Sequence, residues 1–303
     1  MMNLHLDKEL FKEAVSMTAD YFGISESIVE KDYYVTMILK ELIKEESNFV
    51  FKGGTSLSKA FHVINRFSED IDINFLNHDE LTRGKRKSIK KILKRVVEDC
   101  GLKITNLEFT RSNRDFNQYR ISYNNTFKKY QSLKQEVIVE MAFQTLSYPC
   151  EIKSVQSMIG EYLDKMKNIE MVERYELDSF EVLVQSLERT FIDKIFALVD
   201  YKISGLIKEH SRHLYDLFKI YPYIYFDDKF YDLFNSVKRD RAKRKRCYSA
   251  QPNVVLKEEL QGIIDEDIYK DDFNQITINL CYETVIYEKV IDNLRKIINQ
   301  LHQ

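Results

Sequence analysis

The stretch FKGGTSLSKAFHVINRFSEDIDINF, residues 51–75, decides the reading of this chain. An apolar run, Phe49-Val50-Phe51, leads into Gly53-Gly54-Thr55-Ser56. A helical segment is expected to about Arg66, and Ser68-Glu69-Asp70-Ile71-Asp72-Ile73 follows. Side chains alternate along a strand, so Asp70 and Asp72 share one face. Oxygen ligands a few Å apart on one face suit Mg²⁺ or Mn²⁺, hard cations that hold nucleotide phosphates. The glycine pair lets backbone come close to a phosphate, and the start of a helix favours the anion. Thr55, Ser56 and Ser68 add hydroxyls that serve either a phosphate or the turn itself. Singly, a Gly-Gly pair is a turn and Asp-Ile-Asp-Ile an edge strand with a solvated face. Together they point to metal-assisted attack on a nucleoside triphosphate.

A third carboxylate commonly completes such a site from a neighbouring strand. The run LKQEVIVEMAF, residues 133–143, offers Glu136 and Glu140. The two are in phase on a strand, so both stay open. Glu140, between Val139 and Met141, is favoured as a metal ligand or as the base for the attacking hydroxyl.

The order of strand, Gly-Gly-Thr-Ser, helix and Asp-Ile-Asp resembles that of the polymerase-β-like nucleotidyltransferases. Fifteen residues separate Gly54 from Asp70, a spacing that accommodates an extra helical turn. KGGTSLSKAF followed by Arg66-Phe67-Ser68-Glu69-Asp70-Ile71-Asp72 looks like the AbiEii/AbiGii toxin family. Glu30-Lys31-Asp32 upstream, and Glu188 to Lys194 and Arg212 to Leu217 downstream, resemble further motifs of that family in the right order. The resemblance spans roughly residues 28–220. It implies that Lys194 contacts the triphosphate, although a lysine in so apolar a helix otherwise extends its amine to solvent. It also implies a role for Asp216, either in orienting Lys194 or Arg212 or in a plain helical pair with Arg212. His213 departs from the family, where an acid is common. Biologically, the resemblance implies a toxin of a bacterial toxin–antitoxin or phage-defence system, modifying a tRNA 3′ end and restrained by a cognate antitoxin.

The 303 residues suffice for one large domain or two modest ones. With 44% hydrophobic and 31% charged residues the chain reads as soluble and globular. A net charge of −2 removes any global attraction to nucleic acid, so polyanions must be met locally. Two basic runs are candidates. Residues 238–246, KRDRAKRKR, carry seven basic side chains and one acid, with Lys243, Arg244, Lys245 and Arg246 as candidate RNA contacts. Residues 83–95 form a second run. Either is equally a solvated face. The four cysteines have no metal-ligand spacing, consistent with free thiols in a reducing cytoplasm. No apolar run is long enough to span a membrane, and the N-terminus lacks a signal-peptide pattern.

Helical periodicity marks 7–22, 26–46, 83–100, 182–204, 211–222, 228–237 and 284–301. Strands are expected at 48–52, 69–75, 103–110, 117–123 and 134–143. The stretch 144–180 has no clear pattern. The expected fold is therefore α+β: a polymerase-β-like core, residues 1–165, with a mixed sheet flanked by helices, and a mainly helical domain, residues 166–303. The expected activity is transfer of NMP from an NTP to an acceptor hydroxyl. The alternatives are a kinase-like toxin that phosphorylates itself or a partner protein, and a nucleotide-binding module without turnover.

Overall fold

The computed structural model describes residues 3–76, 81–127, 134–143 and 147–301. The chain is α+β and divides into two compact units. The first comprises residues 1–60 and 68–184, and the second residues 61–67 and 185–303.

A seven-stranded mixed sheet organises the first unit. Its strands are β1 (Phe49–Lys52), β2 (Asp70–Phe75), β3 (Lys103–Ile104), β4 (Phe116–Ser122), β5 (Glu136–Ala142), β6 (Cys150–Val155) and β7 (Phe180–Gln185). The spatial order is β3-β4-β5-β2-β1-β7-β6. β2 lies parallel to β5 and antiparallel to β1, while β4 runs antiparallel to β5. Ile71, Ile73, Val137, Val139 and Met141 are wholly buried. Asp70, Asp72, Glu136 and Glu140 alternate with them at partly exposed positions, as the period of two requires.

Helices α1 (Lys8–Phe22), α2 (Glu26–Glu45), α3 (Gly53–Lys59), α4 (Arg83–Asp99), α5 (Met158–Lys165) and α6 (Ile169–Arg174) belong to this unit. α2 is unusual in burying three consecutive charged residues, Glu30, Lys31 and Asp32. Each is satisfied by a different part of the unit, which is what permits the burial. Glu30 accepts from the Thr126 amide at 2.8 Å. Lys31 donates to the carbonyls of Lys134 and Glu136 and pairs with Glu69 at 3.1 Å. Asp32 takes Lys59 at 2.5 Å and the Met158 amide at 2.7 Å. Burial pulls the Lys31 amine below its usual range and pushes the Glu69 carboxyl up. The Glu-Lys-Asp segment thus ties the starts of β2 and β5 together and anchors α3.

The second unit is helical, with α7 (Leu187–Ser204), α8 (Arg212–Ile220), α9 (Asp228–Ala242), α10 (Leu256–Asp265) and a last helix, Tyr287–Gln300. Ser186 caps the start of α7, accepting from the Arg189 amide. Gly205, at φ 70°, ends it in the left-handed conformation. Phe191, Ile192, Ile195, Phe196, Leu198 and Val199 of α7 are fully buried and form the centre of this unit's core.

Four expectations change. The division falls at 184/185 rather than 165/166, because β6 and β7 join the sheet and α5 packs on α1 and α2. The helix expected to Arg66 stops at Lys59, and residues 61–67 belong to the second unit, where Arg66 bridges to Cys281. The strand expected over 103–110 ends at Ile104 and gives way to a 3₁₀ turn, Leu107–Phe109. Beyond residue 237, α9 continues to Ala242, so the basic run begins on a helix. Positions 144–146 of the patternless stretch lie outside the described residues.

Candidate active site

The β2–β5 register places Asp72 beside Glu140, and Asp70 beside Ile138. Neighbouring strands extend the row. Lys52 is the partner of Asp72 on β1, and Gln118 is the partner of Glu140 on β4. Cross-strand partners face the same way. Lys52, Asp72, Glu140 and Gln118 therefore form one polar row across four strands, with Asp70 two residues along on the same face. Glu140 accepts from Gln118 Nε2 at 2.9 Å. Glu136 lies beyond the end of β2 and pairs with Arg120 at 2.7 Å. The register thus sets Glu140, not Glu136, next to the acid pair.

The turn after β1 is shaped around Asp72. Gly53 has φ +79°, and a Cβ there would come 1.9 Å from Asp72 Oδ2. Only glycine leaves room for that carboxylate. Thr55 Oγ1 lies 2.6 Å from the Asp70 carbonyl oxygen and 2.9 Å from Ser68 Oγ. Ser56 Oγ donates to the Gly53 carbonyl at 3.0 Å. Both side chains are buried. These hydroxyls hold the Gly53–Ser56 turn against the start of β2, and Gly54 is partly exposed.

Asp70 Oδ1 is buried and has no hydrogen-bond partner among the described residues. Lys134 Nζ lies 4.0 Å from its Oδ2. An orphaned buried carboxylate oxygen is costly, and an absent ion is one standard reason for it. The donor set of Asp70, Asp72 and Glu140 is all oxygen, which fits Mg²⁺ or Mn²⁺. Among the described residues no three acidic, His or Cys side chains already converge into a metal cage. The fit therefore rests on the donor chemistry, the shared face and the orphaned oxygen.

Lys194 and Asp216 lie in the second unit, on α7 and α8. Asp216 is wholly buried and both its oxygens are engaged. Oδ1 takes Arg66 Nε at 2.7 Å, while Oδ2 takes Arg66 Nη2 at 2.8 Å and Lys194 Nζ at 2.6 Å. Its partner is thus Arg66, 150 positions away, and not Arg212 on its own helix. Burial alone would raise the Asp216 carboxyl, but Arg66 and Lys194 outweigh it and hold it far below the usual range. Burial lowers the Lys194 amine, opposed by Asp216 and reinforced by Arg66. His213 is pushed well below its ordinary value by burial, then by Lys194 and Arg212. Its ring stacks on Tyr201 with centroids 5.6 Å apart.

The basic runs are only partly free. In 238–246, Arg241 is held by Asp193 and Asp200, and Arg244 by Asp240 at 3.0 Å. Lys243, Lys245 and Arg246 remain exposed, although Lys243 lies 3.7 Å from Asp240. On α4, Lys85, Arg86, Lys94 and Arg95 all pair with acids, and Lys90 donates to the Leu107 and Thr110 carbonyls.

Two members of the polar row, Lys52 and Gln118, were not singled out from sequence. The signal for Gln118 was the alternation of residues 116–122. That for Lys52 was its position at the end of an apolar strand, one residue before the glycine pair.

A family model for the AbiEii nucleotidyl transferase toxin of type IV toxin–antitoxin systems matches residues 38–288. The chain belongs to this family. It is accordingly a nucleotidyltransferase-class toxin, and its family pairs such toxins with an antitoxin. The match begins inside α2 and includes the turn, both acid-bearing strands and most of the second unit. No curated protein matches the sequence. Among the described residues, no helix is long and apolar enough to cross a membrane.

Proposed function

We propose that this AbiEii protein is a Mg²⁺- or Mn²⁺-dependent transferase that moves NMP from an NTP to a hydroxyl of RNA, with a tRNA 3′ end as the acceptor. The observation that carries the reading is the in-register row of Asp72 and Glu140 beside Asp70, next to a glycine turn that only Gly53 can make. Asp70 and Asp72 would hold the ion, with Glu140 as third acid. When bound, the ion neutralises charge on the phosphates. The turn at 53–56 receives the triphosphate, where backbone can approach closely. Lys52, on the same face and without an acidic partner within 4 Å among the described residues, adds a positive charge. The acceptor oxygen bonds to the α-phosphorus as the bond to pyrophosphate breaks. Glu140 takes the hydroxyl proton through the carboxylate that Gln118 orients. Exposed Lys243, Lys245 and Arg246 supply phosphate contacts for RNA.

The test is incubation with each NTP, labelled at the α- or the γ-phosphate, and total cellular RNA. Label from the α-position in RNA, with pyrophosphate released, is the expected result. Label from the γ-position on protein would replace this reading with the kinase-like one. Binding without either transfer would leave a nucleotide-binding module.

A further inference from the structure

The first unit contains a cavity of about 610 Å³ that none of the polar-row residues line. It opens between the start of the chain, the turn after α4 and the end of β4. Its floor is aromatic: Phe11, Tyr34 and Tyr123 are buried, and the rings of the two tyrosines stack at 4.4 Å. Its rim is polar: Ser122, Asn124, Asn125 and Thr126 line it together with Lys8 and Lys103, the last of which is the cross-strand partner of Ser122.

The charge pattern of this cleft is the informative feature. The chain carries 48 acidic residues, yet among the described residues none lines the cavity. Among the described residues, neither Lys8 nor Lys103 has an acidic partner within 4 Å. On neighbouring α4, by contrast, Lys85, Arg86, Lys94 and Arg95 are each paired with an acid. His5 adds no charge, because burial lowers its imidazole. With Nε2 donating to the Cys100 carbonyl at 3.1 Å, its Nδ1 accepts from the Tyr33 hydroxyl at 3.1 Å. The ring is a fixed wall. Two uncompensated ammonium groups over an acid-free pocket attract an anion. The side-chain amides and hydroxyls that line the same cavity suit a flat group with donors and acceptors on its edge. The volume lies within the range of small-ligand sites, about 300–1,000 Å³.

We propose that this cleft binds one nucleoside monophosphate unit, with the phosphate at Lys8 and Lys103 and the base toward Asn124 and Asn125. The unit is either a free nucleotide or one residue of a single-stranded RNA. It is held without the divalent ion and without the carboxylates of the polar row.

The test measures binding of 5′-mononucleotides and of a single-stranded oligoribonucleotide to the full chain in EDTA, which silences any ion-dependent nucleotide site. A double variant, Lys8→Gln with Lys103→Gln, removes the two charges from exposed positions. A second double variant, Lys87→Gln with Lys91→Gln, removes two exposed charges from α4 as a control. The first should lose about tenfold or more in mononucleotide affinity, equivalent to about 1.4 kcal/mol, with an unchanged unfolding temperature. The control should bind as the parent does. Asn125→Ala should weaken binding of some bases more than others. If the unit belongs to RNA, the oligonucleotide binds more tightly than the mononucleotide, and its log–log salt slope falls by about 0.7 in the first variant, for the one phosphate released. If it is a free nucleotide, the longer chain gains nothing. Equal binding by the first variant and the parent, displacement by inorganic phosphate at equal concentration, or no binding of either probe would overturn the proposal. None of these outcomes depends on nucleotidyl transfer.

Discussion

Two clusters of charge, one in each unit, use the same residue types to opposite ends. Around Asp216 every oxygen is spent. One buried carboxylate faces a guanidinium and an ammonium at 2.6–2.8 Å, and nothing is left over for a ligand of the acid. Along the polar row Asp70 and Glu140 are under-used. Asp70 Oδ1 has no partner among the described residues, and Glu140 has only an amide donor in a neighbouring strand. Satisfied buried charge holds a fold together, and removing one member leaves the others stranded. Under-satisfied charge on a rigid sheet costs stability and is kept where a ligand completes it. The contrast teaches that an acid's role is read from what its oxygens lack as much as from what they touch.

Substitution should separate the two clusters. Asp216→Ala strands Arg66 and Lys194 in a dry interior and should cost about 3–5 kcal/mol of stability, read as a lowered urea midpoint. Asp70→Asn removes a charge whose Oδ1 has no hydrogen-bond partner among the described residues and whose Oδ2 meets Lys134 only at 4.0 Å. It should unfold at or above the parent's temperature while transfer falls by roughly a thousandfold, about 4 kcal/mol of transition-state stabilisation. If Asp70→Asn is as unstable as Asp216→Ala, the contrast is lost and both clusters are structural.

A smaller effect is expected at the turn. Gly53→Ala forces a β-carbon into Asp72 and a left-handed backbone, costing about 1–2 kcal/mol from the conformation alone. Displacement of Asp72 should reduce transfer more than stability. Normal activity in this variant would mean that the turn does not position the acid. Glu140→Gln should likewise reduce transfer strongly, whereas Glu136→Gln, which loses only a surface pair with Arg120, should be nearly silent.

Stability of the second unit should also depend on pH. His210 is lowered to about 4 and His213 is lowered as well, both chiefly by burial. Unfolded imidazoles take protons near pH 6.5, before the folded ones do. The unfolded state therefore binds more protons below that value, and stability falls as pH drops from 6.5 toward 4. His213→Gln should flatten the decline seen by urea unfolding between pH 7 and 5. A slope that is unaffected by the substitution would assign it to other groups.

Much of the first unit's centre was legible in the sequence. Alternating Asp-Ile-Asp-Ile and Val-Ile-Val-Glu-Met fixed β2 and β5 as half-buried strands, and the glycine pair marked the turn. The choice between Glu136 and Glu140 was not legible, because residues four apart are in phase and only register distinguishes them. β6 was hidden for a different reason. It is an edge strand whose Ile152 is 64% exposed between Glu151 and Lys153, so it has no apolar alternation to read. β7 was absorbed into the helical pattern of α7, which follows after one capping residue. Arg66 looked like a helix-face residue because its partner lies 150 positions away. Nothing local in the sequence records so distant a pair.

The most direct measurement is Mn²⁺ binding followed by electron spin resonance, with and without NTP, in the parent, Asp70→Asn and Asp216→Asn. Free Mn²⁺ gives a signal that bound Mn²⁺ largely loses. The account expects the parent to bind the ion, Asp70→Asn to lose most of that binding while remaining folded, and folded Asp216→Asn to keep it. Equal ion binding by the parent and Asp70→Asn would contradict the assignment of the polar row as the metal-holding catalytic site.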